Sequence, residues 1–191
     1  KGLQPNRKKE LIGSQVKRAM IDGDFFYPSD LSKTQVQSRS YNFNRSWGIP
    51  VRYHDFQILL NKSNPDLLEF HLSYKDLDQS VSKYCDKEYD LNLIVHSPEL
   101  FEEDHILDLC SVDENYRQRS IQQMQRVINV THELKEYFPS TTCPLIVTNV
   151  GGFTSNAPLP KSERNRLYEI LLNSLSQLDS SGIEIIPQTM P

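Results

Sequence analysis

The spacing of apolar and polar positions changes near Trp47. Beyond it, short apolar runs bounded by turn residues alternate with longer stretches whose apolar positions recur every three or four residues. The short runs read as strands and the longer ones as amphipathic helices. Strands are expected over 49–54, 67–72, 91–96, 145–149 and 183–188. Asp55 can cap a short helix ending at Leu60, and Asn64-Pro65-Asp66 is a turn. A long helix is expected over about 112–138, because Ser111-Val-Asp-Glu114 has capping-box spacing. Ile121, Met124, Val127, Ile128 and Leu134 then share one helical face. A second helix starts near Ser162, buries Leu167, Ile170, Leu171, Leu175 and Leu178, and ends at Gly182.

Strand, polar residue at the strand's carboxyl end, loop, helix, strand is the unit of a parallel α/β barrel or a doubly wound sheet. In both, the working groups lie at the carboxyl ends of the strands. Residues 1–31 differ in character: short β-prone stretches alternate with tight-turn signals such as Asp22-Gly23, so a small β-rich segment is expected there. Residues 32–46 are polar and serine-rich, and read as a linker or ordered loop before a domain spanning 47–191.

The 21 basic and 25 acidic side chains leave a net charge of −4 without long runs of one sign. That balance argues against nucleic acid or an anionic membrane as partner. The 3 cysteines, Cys85, Cys110 and Cys143, are widely spaced, with no CxxC, and read as reduced thiols of a cytoplasmic protein. No apolar run approaches the ~20 residues that span a bilayer. The chain has no initiator methionine and stops on an apolar run, and so reads as cut from something longer.

Strand parity singles out the candidate chemistry. Glu69 and His71 share one face of the second strand, and His96 closes the third. Asn149 closes the fourth and Gln188 the fifth. If the opposite face packs on helices, all five converge at one mouth, where imidazole, carboxylate and amide groups suit the hydroxyls of a sugar. His96, Glu69 and His71 are the candidate catalytic residues. Asn149, Gln188 and Gly151 are the candidate substrate contacts, Gly151 within the tight turn Gly151-Gly152. His54, His105 and His132 read as surface positions. Asn129-Val-Thr131 matches a glycosylation acceptor but lies inside an expected helix.

Two resemblances attach to particular residues. Lys1-Gly-Leu-Gln-Pro5, Glu10-Leu-Ile-Gly-Ser-Gln-Val-Lys-Arg18 and Asp22-Gly-Asp-Phe-Phe-Tyr-Pro-Ser-Asp-Leu31 resemble the end of the antifreeze-like (SAF) domain of bacterial sialic acid synthases. Those enzymes condense phosphoenolpyruvate with an N-acyl hexosamine, using a divalent metal in an amino-terminal barrel. Their SAF domain reaches across a homodimer. Val95-His96-Ser-Pro98, Arg119-Ser-Ile121 and Ile146-Val-Thr-Asn-Val-Gly151 resemble the first half of a xylose-isomerase-like TIM barrel of the sugar-phosphate isomerase/epimerase superfamily. The resemblance implies a partial parallel (β/α) TIM-type barrel of about five strands after a SAF remnant. It also implies a sugar or sugar-phosphate ligand and a homodimeric parent. In metal-dependent members His96 would match a metal ligand, while Asn149 and Gln188 stand where those members carry histidine and glutamate. No cofactor is assigned to this chain itself. The implied function is that of a sialic-acid-synthase-like protein carrying an isomerase-like barrel, with the fragment alone inactive. The alternatives are a metal-dependent sugar-phosphate isomerase or epimerase, and a non-catalytic sugar-binding or assembly domain.

Overall fold

The computed structural model describes residues 2–31, 40, 42–153 and 157–188. Most of the expected linker, residues 32–39 and 41, lies outside the described residues. The chain divides into two compact units, Lys1–Ser40 and Tyr41–Pro191.

The first unit corrects the expectation of a β-rich segment. Its described residues hold a 3-10 turn, Pro5–Arg7, and two single-turn helices, α1 (Lys8–Leu11) and α2 (Pro28–Leu31), with no strand. The β-prone stretches are short and are separated by Gly13 and Gly23, both at positive φ. Single contacts replace a ladder: Leu3 N–H donates to Phe26 O and Lys17 N–H to Asp30 O. Arg18 ties the unit together, donating to Asp30 at 3.0 Å and to Asp24 at 2.9 Å. The Tyr27 amide and then Arg18 hold the Asp30 carboxyl below its ordinary range.

The second unit is α/β. Its five strands are β1 (Gly48–Val51), β2 (Leu67–His71), β3 (Asn92–His96), β4 (Leu145–Thr148) and β5 (Glu184–Pro187). They form one all-parallel sheet in the order β1-β2-β3-β4-β5. Among the described residues β1 and β5 are edges, so hydrogen bonds do not close the sheet. The connections are α3 (Phe56–Leu60), two 3-10 turns between β2 and β3, α4 (Glu114–Lys135) and α5 (Lys161–Leu175). Right-handed crossovers between neighbours in sequential order all land on the same face. Burial agrees: Leu68, Phe70, Leu93, Val95, Ile146 and Thr148 are almost fully buried. The hydrophobic members of that set share one core cluster with Met124, Val127, Ile128 and Leu134 of α4. Thr131 is buried too, its hydroxyl donating to Val127 O, so the glycosylation-like triplet is part of the helix's packing. On the other face Leu67, Glu69, Ile94, Leu145 and Val147 are only half-buried.

Local capping differs from expectation at two helices. Asp55 holds the N-cap position of α3, but its carboxylate makes no capping bond and turns back to accept the Arg52 amide at 2.7 Å. At α4 the cap is Asp113, which accepts the Tyr116 amide, while Glu114 pairs with Arg117 and Gln118. Between β2 and β3 no α-helix forms. The short segment instead buries Leu77, Val81, Cys85 and Tyr89 through 3-10 turns at Tyr74–Asp78 and Val81–Lys83.

Candidate functional site at the carboxyl ends of the strands

Parallel register builds the site. His71 of β2 is paired with His96 of β3, so both side chains emerge side by side from the half-open face. Adjacent strands lie about 4.8 Å apart, and the two imidazoles stack accordingly, with centroids 4.6 Å apart and planes 16° from parallel. Glu69 lies two residues before His71 on the same face, and its Oε1 accepts from His71 Nε2 at 2.8 Å. The carboxylate accepts from Nε2, so in the neutral ring the proton sits on Nε2 and Nδ1 keeps a lone pair. Both side chains remain about one-third exposed, His71 at 35% and Glu69 at 31%.

His96 continues the row. Its Nε2 lies 2.9 Å from Gln188 Oε1 and its Nδ1 3.1 Å from Ser97 O. Two acceptor oxygens on the two ring nitrogens are satisfied together only by a doubly protonated ring. A neutral His96 gives up one of these bonds, or Gln188 turns its amide to donate instead. The site is thus a chain, Glu69–His71 stacked on His96–Gln188, spanning β2, β3 and the end of β5.

Asn149 bonds to Glu99 rather than to this row. It is 6% exposed, and its Nδ2 donates to Glu99 Oε1 at 2.6 Å. Its Oδ1 is buried without a hydrogen-bond partner. The following turn is held from below by Asp108, whose Oδ1 accepts from Cys110 N at 2.9 Å and Gly152 N at 3.1 Å. Gly151 has φ +87°, and a Cβ there would fall 1.9 Å from that same oxygen. The Gly152 amide is therefore already committed to Asp108.

Two residues of the rim escaped the sequence reading. Glu99 lies in the loop after β3, where strand parity no longer applies. Arg52, the residue after β1, donates from Nη1 to His71 O at 2.8 Å. His105 is a correction: expected at the surface, it is 3% exposed between Phe101 and Tyr116, with Nε2 3.0 Å from Ser120 Oγ. Burial first, then the charge of Arg119, lowers its pKa from the usual histidine value. The three cysteines are free. Burial raises Cys85 to about 12 and Cys110 to about 11, so both are thiols at neutral pH.

The donor set does not fit the divalent metal implied by the resemblance. Both nitrogens of His96 are engaged, and the nearby Asn149 and Gln188 offer neutral amides. Among the described residues no group of three His, Cys, Asp or Glu side chains could hold a metal ion. None of the described helices is long and apolar enough to cross a membrane. No family model, curated protein or solved structure matches the chain.

Proposed function

We propose that the carboxyl rim binds a sugar and carries a base ready for proton transfer. The second unit is read as the first part of a TIM-type barrel in a cytoplasmic, sialic-acid-synthase-like protein, homodimeric as a whole. The observation that carries the reading is the Glu69–His71 pair stacked on His96–Gln188. Glu69 accepts from His71 Nε2, so a neutral His71 presents a bare Nδ1, and none of the described residues engages that nitrogen. Such a nitrogen can accept a proton from a sugar hydroxyl, or from a carbon next to a carbonyl. His96, when protonated, can donate toward the carbonyl oxygen as Gln188 gives way. Isomerisation and epimerisation need that pairing of acceptor and donor. Condensation of phosphoenolpyruvate with an N-acyl hexosamine is assigned to the parent protein, and this stretch alone is expected to be inactive in it.

The SAF-like reading of residues 1–31 rests on the order of their sequence motifs alone. The barrel reading is supported by the sequential strand order and by one buried and one half-open sheet face. A second reading, non-catalytic sugar binding, draws on the two amides, Asn149 and Gln188, since amides bind hydroxyls but do not exchange protons with carbon acids.

Calorimetric titration with N-acetylmannosamine tests the binding claim. Saturable binding that disappears in His96→Ala and weakens in His71→Gln is expected, and heats indistinguishable from dilution would overturn it. Deuterium wash-in at C2 of the same sugar separates the readings. Exchange lost in His71→Gln supports proton transfer, while binding without exchange leaves the non-catalytic reading.

A further inference from the structure

Among the described residues the Arg52 guanidinium forms no ion pair with a carboxylate. Arg18, Arg117, Arg119 and Arg126 each hold a carboxylate. Arg52 instead spends one N–H on the His71 carbonyl. A guanidinium has five N–H donors, and its remaining donors have no hydrogen-bond partner among the described residues. The nearby carboxylates are committed: Asp55 Oδ1 accepts the Arg52 backbone amide, and Glu69 holds His71. The bond to His71 O also fixes the location of the guanidinium. Leu72, the residue after β2, donates its N–H to His96 O, so the cation is tied to the backbone at the end of the strand that carries His71.

We infer that the sugar bound at this rim carries a carboxylate, and that Arg52 selects for it. This rests on the sugar-binding reading of the histidine row. A planar guanidinium matches a carboxylate in a two-pronged hydrogen bond that a neutral hydroxyl cannot reproduce. The single positive charge of Arg52 matches a monoanion. A phosphate monoester brings a second negative charge to a rim that already carries Glu69 and Glu99, so the sugar acid is favoured over the sugar phosphate.

The test uses the full chain and three probes, D-glucose, D-glucuronate and D-glucose 6-phosphate, with binding followed through the ring resonances of His71 and His96. Glucuronate is expected to bind at least tenfold more tightly than glucose or glucose 6-phosphate. In Arg52→Gln that advantage should collapse to within about twofold, and Arg52→Lys should keep part of it, as a point charge without the fork. Equal affinity for glucose and glucuronate, tighter binding of the phosphate, or an advantage surviving Arg52→Gln would overturn the selection by Arg52 and leave the sugar site standing. If none of the three probes moves either histidine, the selection falls, and the sugar site then stands or falls on the N-acetylmannosamine titration.

Discussion

Replacing Gly151 by alanine should damage the chain far more than the same change at Gly182, although both glycines have nearly the same backbone. Their φ angles are +87° and +74°. An L side chain in that region costs about 1–2 kcal/mol, and at Gly182 nothing lies within 4 Å of the added Cβ, so this is the whole penalty. At Gly151 the Cβ falls 1.9 Å from Asp108 Oδ1 and 2.6 Å from Asp108 Cα. Because one of those atoms is backbone, Asp108 must move, and it then loses its bonds to the amides of Cys110 and Gly152. Bonds to a charged acceptor contribute about 1.5–3 kcal/mol each. Asp108 is half-exposed, so the low end applies, and the extra cost is about 3 kcal/mol. Against a typical domain stability of ~5–15 kcal/mol, that is a large loss. Urea unfolding reads it directly: with a slope of about 2 kcal/mol per molar, the midpoint of Gly151→Ala should fall about 1.5 M below that of Gly182→Ala. Midpoints within about 0.3 M of each other would show that Asp108 does not brace this turn.

His105 should make stability depend on pH. Burial depresses its folded pKa, so between about 6.5, the unfolded value, and the lower folded value the unfolded chain binds more protons. Its contribution is therefore complete above about pH 6.5 and is lost as pH falls through that window, with a slope of at most about 1.4 kcal/mol per unit. His105→Gln should flatten the slope relative to the parent chain in parallel denaturation series, and unchanged slopes would refute the assignment. Thr141→Val should cost about 1–3 kcal/mol, because the buried Leu93 amide donates to Thr141 Oγ1 at 2.8 Å and would lose its acceptor. Thr141→Ser should recover most of that loss, and hydrogen exchange at Leu93 should accelerate only in the valine variant.

Strand parity was the strongest signal in the sequence because its period is fixed by the pleat. It joined Glu69, His71, His96, Asn149 and Gln188 on one face; four of these meet in the row, where the register makes the stacked pair, while Asn149 bonds to Glu99 instead. Parity could not place residues beyond the strands. Glu99 is set by a loop, and Arg52 acts through a carbonyl of the neighbouring strand. The buried histidine was invisible for a related reason: His105 follows three acidic residues, Glu102, Glu103 and Asp104, which look like surface. Positive φ at Glu103 and Asp104 folds the loop back instead, so that His105 meets Ser120. The β-prone stretches before residue 31 carry residues suited to strands, but no strand partner occurs among the described residues of their unit.

The reading of the rim rests on one proton: His71 must carry it on Nε2, held by Glu69, with Nδ1 free to meet a ligand. Nitrogen-15 ring spectra of the labelled chain, recorded without and with saturating N-acetylmannosamine, measure this at single-atom level. The expected free spectrum shows His71 protonated at Nε2 and bare at Nδ1. Addition of the sugar should shift His71 Nδ1 and His96 Nε2 while leaving the buried His105 unmoved. A His71 proton on Nδ1 in the free chain, or two rim histidines indifferent to the sugar, would contradict it.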